Sequence, residues 1–178
     1  DLGGPLFFSH YSFLGIDPRN LSDDYADYWE QNQHHSQINH AYCKANPKNQ
    51  AGYSDSMWGL TASDNPWGYS AHSPTNDKGV ITPTAALSAF PYTPEESTKA
   101  LKFFYYTMGD LLWKKYGFVD AFCPGEVWTA SSFLAIDQGP IVVMIENYRT
   151  QLLWKLFTSN TDVINGMKTL NFKAPYLN

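Results

Sequence analysis

The sequence predicts an all-α protein whose chemistry sits on the loops. Stretches with apolar residues at helical spacing, most clearly 94–116 and 140–157, alternate with long segments that follow neither the helical nor the strand period. The longest of these, 47–81, carries Tyr53, Trp58, Trp67 and Tyr69 among Gly, Ser, Asn, Asp and Pro. A segment so rich in large aromatics is ordered rather than disordered, and long ordered loops in compact domains usually serve function. Together these features imply helices with their loops gathered at one end.

At 178 residues the chain is read as one domain, 1–178, long enough to bury a sizeable core. A net charge of −5 and the lack of any Lys/Arg cluster argue against a nucleic-acid partner. No run of about 18 apolar residues is present, so no transmembrane helix is expected, and no signal peptide is visible. The opening D-L-G-G-P-L-F-F reads as the start of a mature or trimmed segment. Cys43 and Cys123 stand far apart without a C-x-x-C partner and read as buried free thiols. His10, His34, His35, His40 and His72 show no metal-ligand spacing, so neither metal nor cofactor is expected. No P-loop, GxGxxG or G-x-S-x-G occurs, which removes the common nucleotide and α/β-hydrolase readings.

In chain order, 1–20 is a packed aromatic loop between the turn signals G-G-P and G-I-D-P. Ser22 or Asp23 opens a helix that ends before Pro47; its polar centre Q-N-Q-H-H-S-Q is a solvated face or the border of a polar cavity. Thr82-Pro83 starts a short helix to about Phe90. Thr93-Pro94-Glu95-Glu96 is a capping box, and Leu101, Phe104, Met108, Leu111 and Leu112 carry that helix to a stop at Gly117. After a connecting segment, 118–139, Pro140 begins a helix to about 157 that is hydrophobic all round and therefore belongs inside. Thr161 or Asp162 opens a last helix to Leu170, followed by a short exposed tail.

Asp137 lies just ahead of the Pro140 helix start. The helix dipole and free N–H groups there favour an ionised carboxylate, which suits a base; the alternative is a plain helix-capping Asp. Glu126, between Gly125 and Val127-Trp128, has an aromatic neighbour able to desolvate it and make it an acid; the alternative is a surface Glu. The aromatic loop suits sugar binding, since flat rings stack on C–H faces while amides and carboxylates bind hydroxyls; its alternative is a plug for the end of a helical barrel. Glu146 and Arg149, three apart, read as an internal ion pair.

Four separated stretches carry a specific resemblance: G-P-L-F-F-S-H-Y-S-F-L-G-I-D-P at 4–18, Y-A-D-Y-W-E-Q-N at 25–32, W-G-L-T-A-S-D-x-P-W-G-Y at 58–69, and A-I-D-Q-G-P-I-V-V-M-I-E-N-Y-R at 135–149. The chain resembles the glycoamylase-like family of bacterial proteins, often labelled glucoamylases and similar to the endo-β-1,2-glucanases of glycoside hydrolase family 144. The resemblance runs from Gly4 to about Pro175 and implies an (α/α)6 barrel, or toroid, of which this chain corresponds to the C-terminal half.

It further implies a periplasmic or extracellular glycosidase that hydrolyses β-1,2-glucan with inversion, an oligo- or polysaccharide partner, and association with the missing N-terminal half. Inversion requires an acid and a base about 6.5–9.5 Å apart. Asp137 is then the base; the family's acid corresponds to a Glu upstream of Asp1, with Glu126 the substitute within the chain. Substrate contacts fall to Asp64, Trp67, Tyr69, His10, Tyr11, Trp58 and Trp128. For Asp64 the competing reading is an Asx turn before Pro66. Tyr25, Trp29 and Trp128 are stacking platforms or core. A glucoamylase-type exo α-glucosidase, a transglycosylating domain and a non-catalytic glycan-binding barrel remain open.

Overall fold

Helix α1 (Tyr28–Ala45) turns its polar residues inward: Asn32, His35, Ser36 and Asn39 are buried together with Cys43. The polar centre of this helix is therefore split: Gln31, His34 and Gln37 form a solvated face, while Asn32, His35 and Ser36 point inward. The Asn39 amide donates to the Leu60 carbonyl at 3.1 Å and accepts the Leu60 N–H at 3.0 Å. His35 contacts Ser9 Oγ at 2.7 Å and the Gly4 carbonyl at 3.1 Å through its two ring nitrogens. A buried polar group is retained only when it is hydrogen-bonded, and these bonds tie two irregular segments to a rigid helix.

The computed structural model describes residues 2–178. After α1 come an antiparallel hairpin, β1 (Ala62–Asn65) with β2 (Gly68–Ala71), and the short helix α2 (Pro83–Ser88). Next are α3 (Pro94–Lys102), a π-turn (Phe103–Thr107) and α4 (Gly109–Leu112). Two small ribbons follow, β3 (Trp113–Lys114) with β4 (Gly117–Phe118) and β5 (Phe122–Cys123) with β6 (Trp128–Thr129). The chain then runs through α5 (Ala135–Thr150), α6 (Leu152–Thr158) and α7 (Thr161–Thr169). The protein is helical in its framework, as the sequence predicts, and among the described residues the strands form three two-stranded ribbons.

Every residue of α2 is buried, between α3 and α5. Its Pro, Ala, Thr and Ser side chains are small enough for those helices to approach. Gly59 meets the same helix backbone to backbone: a Cβ there would stand 3.0 Å from Thr82 O and Ala86 N, at a φ of +127° that only glycine adopts readily. Around α2 the main core gathers Leu6, Trp58, Leu60, Phe104, Phe118 and Phe122. A second cluster of Phe13, Leu21, Met167 and Leu177 joins the first loop to α7 and the tail.

Several boundaries differ from the sequence reading, each for a local reason. Asp23 does not open a helix; it accepts the Tyr25 and Ala26 N–H groups in an Asx turn, and Asp27 caps α1 by accepting from Glu30 N–H at 2.9 Å. The 94–117 helix breaks at the π-turn, and Gly117, at a φ of +102°, forms the β3–β4 ribbon instead of a helix stop. Thr93 caps nothing with its side chain, which donates back to the Ala89 carbonyl.

Helix α5 begins at Ala135, so Pro140 lies inside it and forgoes one backbone bond. It ends where Gln151 takes a left-handed φ of +65°. Nor is α5 buried all round: Ile141 and Met144 face inward while Val142 and Tyr148 are exposed, and the Glu146–Arg149 pair lies on the surface. The tail is not loose. Ser22 and Lys173 exchange backbone hydrogen bonds, and the Tyr176 hydroxyl donates to Asp17 O at 2.9 Å.

Candidate active site

Asp137 falls in the first turn of α5, and its carboxyl is only 1% exposed. It does not cap its own helix. Its backbone carbonyl accepts from Thr84 Oγ1 of α2 at 2.6 Å, which fixes this turn against the buried helix. Its Oδ1 accepts the Tyr11 hydroxyl at 3.1 Å. Its carboxyl also lies within hydrogen-bonding reach of the Asp120 carboxyl.

Asp120 is equally buried, on the segment between β4 and β5, where its N–H donates to Ser132 O at 3.1 Å. Its Oδ2 accepts the Asp64 N–H at 2.7 Å. The remaining oxygens, Asp120 Oδ1 and Asp137 Oδ2, are buried and accept from no N–H or O–H donor, while the two carboxyls lie within hydrogen-bonding reach of each other. One proton held between them satisfies both, and two like charges in contact cannot both persist.

Burial is the chief cause that raises the pKa of both groups: Asp120 is pushed up to about 8, and Asp137 is raised as well. Donation from Asp120 and Tyr11 pulls Asp137 back toward its ionised form, so the pair's single negative charge rests on Asp137. The expectation that the helix start favours ionised Asp137 is thus corrected in direction: burial raises its pKa, and donation from Asp120 and Tyr11 offsets only part of the rise. Dry surroundings govern this carboxyl, and two donors keep it charged.

Asp64 completes the cluster from β1. It is half-buried, its Oδ2 accepts the Ser132 hydroxyl, and Tyr69 stands opposite it across the hairpin. Burial, together with the negative charge of Asp137, Asp120 and Asp64, raises the pKa of the Tyr69 hydroxyl. Trp67 at the hairpin tip is 62% exposed and Tyr69 58%. The turn between the strands is closed by Asn65, whose Oδ1 accepts from Trp67 N–H at 2.9 Å, so the Asx turn belongs to Asn65 and leaves the Asp64 side chain free for the cluster.

Asp137, Asp64, Tyr11 and Tyr69 therefore meet, with Trp67 on the same hairpin. Other candidates fall elsewhere. Glu126 is exposed on the turn Pro124–Glu126, away from any desolvating cover, and Trp128 packs on Val80, Ala121 and Cys123 instead of on it. Trp58 is 0% exposed, edge-on to His40 in the core, and has no face to offer a sugar. His10 is buried next to Tyr11 and, mainly through burial, is held neutral with its pKa lowered to about 3. Tyr25 is exposed and Trp29 packs edge-on against Tyr92. Both cysteines are buried free thiols, and among the described residues no cluster of His, Cys, Asp and Glu has the makings of a metal site.

Asp120 and Ser132 were not singled out by sequence. The signal for Asp120 was its setting, F-V-D-A-F, in which an acid flanked by apolar residues on both sides is destined for burial.

The fold and the site thus define a helical scaffold that holds paired buried carboxyls beside exposed indole and phenol rings. The chain is a member of the Glycoamylase family, described as "putative glucoamylase", whose model matches residues 1–161. It is 49% identical over 170 residues to the exo β-1,2-glucooligosaccharide sophorohydrolase (non-reducing end) of Parabacteroides distasonis, a match that takes in 94% of this chain and 24% of that protein.

Among solved structures it superposes with a TM-score of 0.96 and 56% identity on the endo-β-1,2-glucanase of Chitinophaga pinensis in complex with sophorotriose and glucose, over 99% of this chain and 43% of that one. A β-1,2-glucanase from P. distasonis gives a TM-score of 0.93 at 48% identity, over 96% of this chain and 25% of that one. The chain thus spans about a quarter of the curated relative it matches, and less than half of each of these structures.

Proposed function

We propose that this chain is the base-bearing part of an inverting β-1,2-glucan hydrolase built on an (α/α)6 toroid. The observation that carries the reading is the Asp120–Asp137 pair, which holds one proton and one charge under the Tyr11 hydroxyl. Relatives of about half-identical sequence named for β-1,2-glucan hydrolysis supply the substrate class.

In this reading Asp137 is the ultimate base. Because its carboxyl is buried, water does not reach it directly. The attacking water gives its proton to the Tyr11 oxygen as the Tyr11 hydroxyl proton passes to Asp137 Oδ1. Asp120 remains protonated throughout and holds Asp137 in place. It cannot be the general acid: inversion separates acid and base by about 6.5–9.5 Å, whereas these two carboxyls are in hydrogen-bond contact. The acid therefore comes from residues outside this chain. A groove of about 750 Å³ beside Tyr11, walled by Leu14, Ile16, Val143, Leu156 and Phe157, fits the apolar side of helices contributed by a complementary N-terminal half. Trp67 and Tyr69 stack on sugar rings, and Asp64 binds hydroxyls. We infer a periplasmic or extracellular location, since a glucan polymer does not cross a membrane unaided.

Asp64 carries a second reading. It is the one carboxylate of the cluster open to solvent, so it could accept the water's proton without Tyr11. Reducing-sugar release from linear β-1,2-, β-1,3- and α-1,4-glucans, by the full enzyme and its Asp137→Asn, Asp64→Asn and Tyr11→Phe variants, tests both. Release from β-1,2-glucan alone, lost in Asp137→Asn and strongly reduced in Tyr11→Phe, supports the relay; turnover retained by Asp137→Asn sinks it.

A further inference from the structure

The π-turn Phe103–Thr107 lies outside the carboxyl cluster and has no part in the mechanism above. It is closed by the Met108 N–H donating to the Phe103 carbonyl at 3.1 Å, one residue wider than an α-turn. Such single-turn bulges recur at functional positions. Here the bulge keeps Phe104 in the core and leaves Tyr105 and Tyr106 exposed on consecutive positions. Trp113, half exposed on β3, joins them.

With Thr107, Asp110 and Lys114 these rings line an open trough of about 520 Å³. The rings are fixed edge to face: Tyr106 to Tyr105 at 5.1 Å, Tyr105 to Trp113 at 5.3 Å, and Trp113 to Phe118 at 4.9 Å. The row ends beside the reactive pair, because the Phe118 carbonyl accepts from Gln138 Nε2 at 2.7 Å and Gln138 follows Asp137 in α5.

We propose that this trough is a second glucan-binding site, which holds a stretch of the same polysaccharide beyond the sugars at the carboxyl cluster. The proposal rests on the hydrolase reading and deepens it. Rings already held by their neighbours lose little freedom when a sugar stacks on them. A carboxylate, a hydroxyl and an ammonium at the trough's edge match sugar hydroxyls better than they match an apolar protein face. The Phe118–Gln138 hydrogen bond ties the ribbon that bears Trp113 to the first turn of α5, so the trough and the carboxyl pair are held by one continuous piece of structure.

The test uses Tyr106→Ala in the full enzyme, because Tyr106 is 79% exposed and its loss leaves the core intact. With long linear β-1,2-glucan, kcat/KM should fall about fivefold or more, while with short β-1,2-glucooligosaccharides it should not change. An equal fall on both, or no fall on either, overturns the second site and leaves the hydrolase reading standing. If the wild type cleaves no β-1,2-glucan, the hydrolase reading fails by itself. Retention in gels containing β-1,2-, β-1,3- or α-1,4-glucan then decides: retardation lost in Tyr106→Ala upholds the trough, and equal retardation of both proteins sinks it.

Discussion

Asp120 and Asp137 face each other as a buried carboxyl pair with two otherwise unpartnered oxygens, so a single proton links β4–β5 to the start of α5. Removing charge from one member differs from removing it from the other. Asp137→Asn should lower kcat by about a thousandfold, within the range of about 10²–10⁴ usual for a general base, with the fold intact by circular dichroism. Asp120→Asn keeps a donor toward Asp137 and should retain most of the activity at neutral pH. A variant Asp120→Asn as dead as Asp137→Asn would make Asp120 the base.

The pair also sets a pH limit. Asp120 is raised to about 8, so above that pH it ionises, Asp137 loses a donor and gains a like charge, and kcat/KM should drop. Stability follows the same sign. The folded state binds this proton more tightly than the unfolded chain, so the contribution is fully present below about pH 4 and declines as pH rises toward about 8. Rate profiles and thermal melts between pH 4 and 9 check both. Asp120→Asn should flatten the alkaline fall; an unchanged limb in that variant assigns the fall to another group.

Tyr11→Phe separates relay from mere orientation. It strips Asp137 Oδ1 of its donor, which costs about 1–3 kcal/mol for a buried acceptor, and it breaks the proton path. We expect kcat to fall at least tenfold with KM nearly constant. A change confined to KM places Tyr11 in substrate binding alone.

The two tryptophans of the aromatic loop should behave oppositely. Trp58→Ala empties a fully buried site and should destabilise the protein by about 3–5 kcal/mol. Trp67→Ala should change stability by no more than about 0.5 kcal/mol, yet weaken glucan binding by about 1 kcal/mol, or roughly fivefold in KM. Chemical denaturation and steady-state kinetics on the same samples distinguish them, and a Trp67→Ala enzyme with normal KM removes that ring from the substrate path.

The helical framework was legible because its signals are local. Pro83, Pro94 and Thr161 each open a helix where the sequence places one. Asp137 was legible as a candidate because its position at a helix start is also local. Its actual partner was not: Asp120 lies 17 positions away in a segment with no period, and only the fold sets their side chains together. Trp58 and Trp67 share one loop and similar neighbours, and burial alone distinguishes plug from platform. The π-turn is not legible in the sequence because its residues keep a helical apolar pattern; the extra residue in the turn leaves no mark in composition.

The bidentate clasp between Asn39 and the backbone of Leu60 has a thermal consequence. Leu60 leads directly into the strand that bears Asp64, and that ribbon has only one neighbour strand of its own. A single amide on α1 thus does for the ribbon what an adjoining strand does in a larger sheet. On gentle heating the ribbon should come adrift before the helices melt, so that turnover vanishes while the far-ultraviolet dichroism is still that of the cold protein.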